Sequence, residues 1–327
     1  MGDPIFQSFL LIVSLPLCLF TIVGNLFVLF GYIFHAPLRT PANAYLVSLA
    51  IADLITGLVV FPPTIHYSFV QTWMWGLPTC RIWLVFTFAM FSVTGLHLVA
   101  IAVDRYRTVS EGVSYIQRRS MRSVGEKLGL IWIIGFWVTI PVILDWENIV
   151  VDPRAEVHCV TKKVPYWVAH FCGGAFVLPA VLIGRIYYKV YGEIKERNKE
   201  RGKLEGRELT GVTESSSDGV DGGGVDAGKR HRPIKVTADD VTRKTTLLAR
   251  ERRTAVTLLI ISGAFIFCWL PWNALTVFDA ITGVIPAPYL FTFSGIFGLG
   301  NSCINPMVYA ARMPEFRTVF KKMLRIK

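Results

Sequence analysis

Seven stretches of the chain are long and apolar enough to cross a membrane as helices. A helix needs about 20 apolar residues to cross roughly 30 Å of hydrocarbon at a rise of about 1.5 Å per residue. The stretches lie at about 5–34, 42–67, 79–108, 126–144, 165–191, 253–279 and 287–311. Only 17% of the 327 residues are charged, against about 25% in a soluble domain. The sequence therefore predicts an all-α membrane protein, a seven-transmembrane helix bundle.

The positions of Lys and Arg predict how this bundle is oriented. If the N-terminus is extracellular, the outer loops hold only four of the 34 basic residues, namely Arg81, Arg154, Lys162 and Lys163. The others lie at the inner ends of the spans, in the inner loops and in the tail. Cytoplasmic loops of membrane proteins typically carry such an excess of Lys and Arg. We therefore expect a multi-pass plasma-membrane protein with a cytoplasmic C-terminus. The net charge of +11 then needs no nucleic-acid partner, because the basic residues are not interleaved with aromatic residues on one patch.

One polar insert interrupts the apolar pattern. From Ser215 to Gly228 it is nearly all Ser, Gly, Asp and Val, which cannot bury enough apolar surface to offset the entropy of ordering. Its basic flanks are expected to continue the neighbouring helices. The predicted domains are 1–194 with spans one to five, 195–245 as a disordered third cytoplasmic loop, 246–312 with spans six and seven, and 313–327 as an amphipathic helix and tail. In that last helix, apolar residues paired with basic ones indicate contact with the lipids of the inner leaflet. These apolar residues are Phe316, Val319, Phe320, Met323 and Leu324.

Polar residues recur inside the apolar stretches, where each is costly unless it faces the interior of the bundle. They form the motifs Gly24-Asn25, Leu49-Ala50-Ile51-Ala52-Asp53, Asp104-Arg105-Tyr106, Phe265-x-x-Cys268-Trp269-x-Pro271 and Asn305-Pro306-x-x-Tyr309. Further matching residues are Trp132, Pro141, Pro179 and Tyr187. In this order the set resembles that of rhodopsin-like (class A) G-protein-coupled receptors, over essentially the whole chain except the third inner loop. The resemblance implies a receptor that transduces an extracellular small-molecule signal to heterotrimeric G proteins and has no catalytic chemistry.

At the cytoplasmic end, the resemblance implies a latch between spans three and six. Arg105 pairs at rest with Asp104 and with Glu251, the acid that the family places at the inner end of span six. Activation swings span six outward, and Arg105 then binds the G protein. The predicted coupling site comprises Asp104, Arg105, Tyr106, Tyr187, Glu251 and Tyr309. A solvated interfacial charge cluster is the alternative interpretation.

Deeper in the bundle, the resemblance implies a packing switch. Pro271 bends span six, and Trp269 and Phe265 lie on the inner face of the bend as the element that shifts. Asn305 and Pro306 are the matching part of span seven.

Asp53 is a lone carboxylate at mid-membrane, where a charged residue is costly and usually has a function. Asn301, Asn305 and Tyr309 recur at i, i+4 and i+8 and therefore share one helical face. The resemblance implies a hydrated network that binds a sodium ion, and no other cofactor is expected. The network comprises Asn25, Asp53, Thr94, Asn301 and Asn305. The alternative is a neutral Asp53 that is hydrogen-bonded to Asn305.

At the outer end, Cys80 and Cys159 match the disulfide of the family, which tethers the second outer loop over the ligand pocket. An oxidising compartment permits such a bond. Two free thiols are the alternative.

The stretches Cys80–Leu84 and Leu98–Tyr106 resemble the amine branch of the family, nearest its histamine and muscarinic members, but other positions depart from it. Thr87 stands where that branch has the Asp that pairs with the ligand ammonium. Leu299 and Ile296 replace the Tyr and Trp of span seven. We therefore expect an aromatic, nearly neutral pocket that does not bind a protonated amine in the usual way. Its predicted members are Thr87, Phe88, Phe91, Phe171, Trp269, Trp272 and Asn273.

Three other classes of protein are weighed against this one. A seven-span membrane enzyme would need histidines and acids that converge on a metal, but His66, His97 and His170 are scattered in depth. A transporter would need more midplane polar groups and internal symmetry. An orphan, constitutive or decoy receptor, which keeps the fold and loses the amine site, is the serious alternative. We expect neither an enzyme nor a metal centre.

Overall fold

The computed structural model describes residues 4–149, 159, 161–162, 164–214, 238–284 and 287–325. Six of its helices are long and apolar enough to cross a membrane, and their bounds are Ile5–Phe34, Pro41–Val70, Gly76–Glu111, Met121–Leu144, Pro165–Arg197 and Thr254–Thr282. A seventh apolar segment consists of two helices, Pro288–Leu299 and Asn301–Arg312, which meet at Gly300. We number these seven segments span one to span seven. The predicted spans are confirmed, and their ends shift by only a few residues.

Prolines widen two of the spans without ending them. Span two contains a π turn at Thr56–Val60, directly before Pro62 and Pro63. Span five contains one at Ala169–Val177, directly before Pro179. Proline has no N–H to donate and its ring crowds the preceding turn, so a wider turn relieves the clash. In a bundle, the carbonyls that lose a partner find other donors, and the helix continues.

Span three lies at the centre of the bundle and packs against spans two, four, five and six. Its Met90 and Leu98 side chains are buried. On the outside, Ile133, Trp137 and Phe267 are 65%, 67% and 68% exposed. Lipid tails cover such a surface in a membrane, so these large apolar side chains carry no cost of exposure to water.

The helices that flank the polar insert extend past the predicted domain boundaries at 195 and 245. One runs over Leu178–Glu214 and the other over Ala238–Thr282. Lys, Arg and Glu are strong helix formers, and they are frequent in both flanks. The centre of the insert, at 215–237, lies outside the described residues, so the disorder expected there stays a prediction.

The C-terminal helix Pro314–Met323 is amphipathic as expected, but its apolar face packs on protein. Phe316, Val319 and Phe320 are buried. The Phe316 ring lies 5.5 Å from that of Tyr309 in span seven, and the Phe320 ring lies 6.0 Å from that of Phe27 in span one. The helix is therefore anchored to the bundle itself, because three of its apolar residues find protein partners at the ends of spans one and seven.

Candidate functional site

A cavity of about 580 Å³ lies at the end of the bundle that carries the Cys80–Cys159 disulfide. This size falls within the range of about 300–1,000 Å³ that is typical of small-molecule sites. Spans two, three, five, six and seven all contribute to its walls. Six of the seven predicted pocket residues line it, namely Thr87, Phe88, Phe91, Phe171, Trp269 and Trp272.

Asn273 is the predicted pocket residue that the cavity lining does not include. Its side chain is buried, and its Nδ2 atom donates to the backbone carbonyl of Trp269 at 2.9 Å. Neighbouring helical residues are rotated by about 100°. Asn273 therefore lies on a different face of span six from Trp272.

Aromatic rings in edge contact form the deep part of the cavity. The Phe91 ring lies 4.7 Å from that of Trp269 with an interplanar angle of 84°. The Phe171 ring lies 4.7 Å from that of Phe88 and 6.0 Å from that of Trp272. These separations and near-perpendicular planes are those that aromatic pairs prefer. The rings offer a ligand apolar surface of fixed shape.

Thr87 offers the cavity no charge. Its Oγ1 donates to the backbone carbonyl of Trp83 at 2.7 Å, so its single proton is used within span three and the oxygen can only accept. Leu299 also lines the cavity, whereas Ile296 is buried and is absent from its lining. Span three therefore lacks a carboxylate for an ammonium at this position.

Two charged residues of the cavity were missed by the sequence interpretation. Lys162 and Asp279 both line it, so the lining that was expected to be nearly neutral contains one base and one acid. The Lys162 Nζ donates to the backbone carbonyl of Glu147 at 2.7 Å. Asp279 stands seven residues after Trp272, which places both on the same face of span six. That spacing was the available signal for Asp279.

Span two supplies a polar wall that was also missed. Thr64 and Ser68 line the cavity at a spacing of four residues, which is that of one helical face, and Gln71, directly after the helix, lines it as well. The Thr64 hydroxyl donates to the Val60 carbonyl, and the Ser68 hydroxyl donates to the Thr64 carbonyl, each at 2.7 Å. Their oxygens remain as acceptors toward a ligand.

The predicted disulfide is present. Cys80 begins the buried part of span three, and its Cα lies 5.7 Å from that of Cys159. Cys159, Thr161 and Lys162 all line the cavity. The bond therefore fixes the loop that forms part of the cavity wall.

At the opposite end of span three, one carboxylate binds several donors. The Asp104 Oδ2 accepts from Arg105 Nη2 at 2.8 Å and from Arg119 Nη1 at 2.7 Å. Its Oδ1 accepts from the Tyr115 hydroxyl at 2.9 Å. Tyr115 belongs to the loop helix Val113–Arg118. Burial, and then the negative charge of Asp104, raise the pKa of Tyr115, so its hydroxyl stays a donor to Asp104.

Three of the other predicted coupling residues have described side chains, and the fourth does not. Tyr187 and Tyr309 are buried. Tyr106 is half-buried, with the Lys189 Nζ 6.0 Å from its ring. The backbone of Glu251 lies in the helix Ala238–Thr282, but its side chain lies outside the described residues. Its pairing with Arg105 therefore stays a prediction.

Midway along the bundle, the predicted network residues are all buried. The Asn305 Nδ2 donates to the Asp53 Oδ2 at 2.8 Å, and the Asn25 Nδ2 donates to the Thr21 and Ser302 carbonyls at 2.8 and 3.1 Å. The Oδ1 atoms of Asn25, Asn301 and Asn305 have no hydrogen-bond partner among the described residues. Thr94 is buried in span three. Buried amide oxygens without donors are rare and suit water or a hard cation.

The predicted packing switch lies between the cavity and this network. Phe265 is fully buried, and its ring lies 5.6 Å from that of Phe91. Pro271 is within the helix of span six, and Pro306 is within that of span seven. The Trp269 indole packs so closely on Gly298 that a Cβ at Gly298 would lie 2.6 Å from the Trp269 Cε3. Spans six and seven thus meet directly at Trp269.

Comparisons with known proteins agree with this geometry. The family model described as 7 transmembrane receptor (rhodopsin family) matches residues 24–309. The 5-hydroxytryptamine receptor 1D of Homo sapiens is 30% identical over 338 residues, which cover 96% of this chain and 88% of that one. The octopamine receptor of Bombyx mori is 25% identical and covers 94% of this chain and 86% of its own length. The crystal structure of squid rhodopsin superposes with a TM-score of 0.80 at 18% identity, covering 99% of this chain and 87% of that one.

The rhodopsin structure shows the fold, and the family model and the relatives show the class. These proteins are signalling receptors and not enzymes, so the enzyme alternative is excluded. Members of this family are multi-pass proteins of the plasma membrane that respond to small molecules and couple to G proteins. The chain belongs to the rhodopsin family of seven-transmembrane receptors, the class A G-protein-coupled receptors, and within it to the amine branch.

Proposed function

We propose that the cavity takes a small aromatic ligand from outside the cell and that the opposite end of the bundle engages a heterotrimeric G protein. One observation carries this proposal: span three lines the cavity with Phe88 and Phe91 and holds the Asp104–Arg105 pair at its other end. At a rise of about 1.5 Å per residue, Phe91 and Arg105 are roughly 20 Å apart along one helix. A single rigid element thus connects the two sites.

The proposed orientation has the N-terminus outside the cell and the C-terminus inside. Two features support it. The Cys80–Cys159 bond is expected on the oxidising side of the membrane. The loop helix with the adjacent Arg119, and the C-terminal helix, belong to the opposite side, where basic residues and anionic lipids meet. Their basic residues include Arg118, Arg119, Lys321 and Lys322.

The coupling site operates by an exchange of partners. At rest, Arg105 pairs with Asp104. A second ion pair, from Arg105 to Glu251, holds spans three and six together at the inner end of the bundle. Tyr106, Tyr187 and Tyr309 complete this proposed site. When span six moves outward, Arg105 exchanges these partners for the G protein. The buried Asp104–Arg105 pair at 2.8 Å supports this role, because a buried charge needs a defined partner in each state.

The ligand is proposed to be amine-like and aromatic. The relatives named for 5-hydroxytryptamine and octopamine favour an aromatic amine, and the rings of Phe91, Phe171 and Trp269 favour an aromatic group. Thr87 provides only a neutral oxygen that is already bound within its helix. The ligand therefore binds without the ion pair to span three that its branch uses.

Signal transfer through the bundle is proposed to use Phe265, Trp269 and the bends at Pro271 and Pro306. Trp269 both lines the cavity and packs on Gly298, so a ligand that moves the indole also moves span seven.

The network below the switch fits a sodium ion by its chemistry, because hard cations prefer oxygen ligands. Asp53, Thr94 and Asn301 would hold the ion, with Asn305 and Asn25 beside them. When bound, the ion would neutralise Asp53 and favour the resting packing of spans two, three and seven.

The proposal is tested by a ligand library, amines included, read out as nucleotide exchange on heterotrimeric G proteins in membranes that contain this chain. Arg105→Ala is expected to abolish exchange while surface expression and ligand binding persist. Phe91→Ala is expected to weaken ligand binding. Full exchange by Arg105→Ala, or an active ligand whose affinity does not change in Phe91→Ala, would contradict the assigned sites.

A further inference from the structure

Asp279 is an acid that lines the ligand cavity near the outer end of span six. We propose that Asp279 is the ionic contact for a cationic ligand and replaces the carboxylate that this branch carries at the position of Thr87. The inference rests on the proposed function, because it assigns a partner within the same cavity. It names the ligand class as an aromatic amine whose charged group lies at the mouth of the cavity.

The side chain of Asp279 is available for such a contact. Among the described residues that line the cavity it is the only acid, and it is half-buried. Within the described part of the chain its carboxylate has no hydrogen bond or ion pair. An ionised carboxylate accepts up to four hydrogen bonds. Its acceptor capacity is therefore left to water or to a ligand.

Lys162, the base of the cavity, does not neutralise Asp279. Its Nζ donates to the Glu147 carbonyl at 2.7 Å, and no described ion pair joins the two residues. The ammonium is thus held by a neutral acceptor on the loop. A ligand cation near Asp279 gains an opposite charge, whereas a ligand anion that binds Lys162 in the same cavity also meets the negative charge of Asp279.

Aromatic side chains that line the same cavity as Asp279 add a second contact for a cation. Trp272 lies two helical turns before Asp279 on the same face, and Phe291 lines the cavity from span seven. A cation within about 6 Å of an aromatic centroid is attracted to the negative face of the ring. A carboxylate and aromatic rings that line one cavity are the chemistry that recognises an ammonium group.

The position of Asp279 also predicts the length of the ligand. Asp279 and Trp269 are ten residues apart, or about 15 Å along the helix axis. A ligand that pairs with Asp279 and also contacts Trp269 must be longer than an arylethylamine. An arylethylamine bound to Asp279 reaches Trp272 and not the switch at Trp269.

The test uses the full chain in membranes and measures both binding and nucleotide exchange. The probes are 5-hydroxytryptamine, octopamine and a series of phenylalkylamines of increasing chain length, each with its neutral N-acetyl derivative. The variants are Asp279→Asn, Asp279→Glu and Lys162→Gln, and Glu147→Gln serves as the matched control because its exposed carboxylate lies outside the cavity lining.

We expect N-acetylation to weaken wild-type binding by about 10- to 100-fold, most for the longer amines. In Asp279→Asn an amine and its N-acetyl derivative should bind equally, because only the amine loses affinity. Asp279→Glu should restore part of the ratio between the two affinities. Lys162→Gln and Glu147→Gln should leave the ratio unchanged.

The inference would be overturned if Asp279→Asn kept the wild-type ratio between the affinities of an amine and its N-acetyl derivative. It would also be overturned if Lys162→Gln changed this ratio, or if the wild-type chain bound none of the amines. These results differ from a failure of the proposed function. If a neutral aromatic compound binds and Phe91→Ala weakens it, the cavity is the ligand site even when Asp279→Asn has no effect. If Phe91→Ala has no effect on any bound probe, the cavity assignment itself fails.

Discussion

The Arg119 Nη1 lies 2.7 Å from the Asp104 Oδ2, the same oxygen that accepts from Arg105. Arg119 follows the loop helix Val113–Arg118, and its side chain is 11% exposed, against 2% for that of Asp104. One carboxylate is thus divided between the arginine that is proposed to bind the G protein and an arginine of the second inner loop. The loop therefore competes for the partner that holds Arg105 at rest.

Because Arg105 and Arg119 share the Asp104 carboxylate, substitutions of Arg119 and of Asp104 should change basal nucleotide exchange in opposite directions. Arg119→Gln leaves Arg105 as the only arginine on the Asp104 Oδ2, and a hydrogen bond to a charged group is worth about 1.5–3 kcal/mol. We expect basal nucleotide exchange to fall several-fold. Asp104→Asn removes the negative partner of two cations, so we expect basal exchange to rise. Breaking a buried ion pair by removing one of its partners costs about 3–5 kcal/mol, so the melting temperature should fall as well.

The measurement is nucleotide exchange per surface-expressed receptor, beside thermal unfolding of the purified chain. Arg118→Gln is the control, because Arg118 pairs with Glu111 at 2.7 Å and its side chain is 70% exposed. Basal exchange that shifts in the same direction in Arg119→Gln and Asp104→Asn would contradict competition for one carboxylate.

The contact between Gly298 and Trp269 supports a second prediction. A Cβ at position 298 would overlap the indole, with distances of 2.6 and 2.8 Å to the Cε3 and Cδ2 atoms. We expect Gly298→Ala to displace Trp269, to raise basal exchange and to cost about 1–3 kcal/mol of unfolding free energy, as overpacking does.

Gly295 supplies the matched control on the same helix. A Cβ there meets only the Trp272 Cδ1, at 3.8 Å, which is ordinary contact. Gly295→Ala should therefore leave both basal exchange and the melting temperature near those of wild type. If Gly298→Ala and Gly295→Ala have the same basal exchange and melting temperature, Trp269 does not transmit ligand binding to span seven.

The sequence predicted most of the fold, and the misses have specific causes. The length of the apolar stretches identified the spans, because a helix must cross the hydrocarbon of the bilayer. The depths that the motifs imply for Asp53, Arg105 and Trp269 stay predictions. Asn273 was assigned to the pocket together with Trp272, but the rotation between successive helical residues places it on another face, and the cavity lining does not include it. Asp279 was overlooked because no motif contains it, although its spacing from Trp272 was visible.

Two other features could not be derived from the sequence at all. The pairing of Arg119 with Asp104 depends on how the loop helix folds back under span three, and no periodicity encodes that approach. The packing of Phe316 on Tyr309 likewise requires the angle at which the C-terminal helix leaves span seven. Both are tertiary contacts between segments whose local patterns indicate only that they are helical and amphipathic or basic.

The disulfide leads to a third prediction. Cys80→Ser removes a crosslink between residues 79 positions apart in the chain, and the loss of a native disulfide typically costs about 2–5 kcal/mol. Because Cys159, Thr161 and Lys162 line the cavity, we expect ligand affinity to fall together with the melting temperature. Binding assays on the purified chain, with and without a reductant, measure both effects. Cys18→Ser is the control, since Cys18 is a free cysteine and does not line the cavity. Equal losses in the two variants would point to a general effect of cysteine replacement.

The network around Asp53 gives the last prediction, which concerns sodium. Asp53→Asn keeps an oxygen that can accept the 2.8 Å hydrogen bond from the Asn305 Nδ2, but it removes the negative charge that would attract the ion. We expect sodium to lower basal nucleotide exchange and agonist affinity in the wild-type receptor, and we expect this sensitivity to disappear in Asp53→Asn. Replacing sodium with potassium at constant ionic strength separates the specific effect from screening, and Asp145→Asn serves as a control because Asp145 lies at the outer end of span four, away from the network. A wild-type receptor that responds equally to both ions would show that the buried amide oxygens hold water alone, and a sodium response that survives in Asp53→Asn would place the ion elsewhere in the bundle.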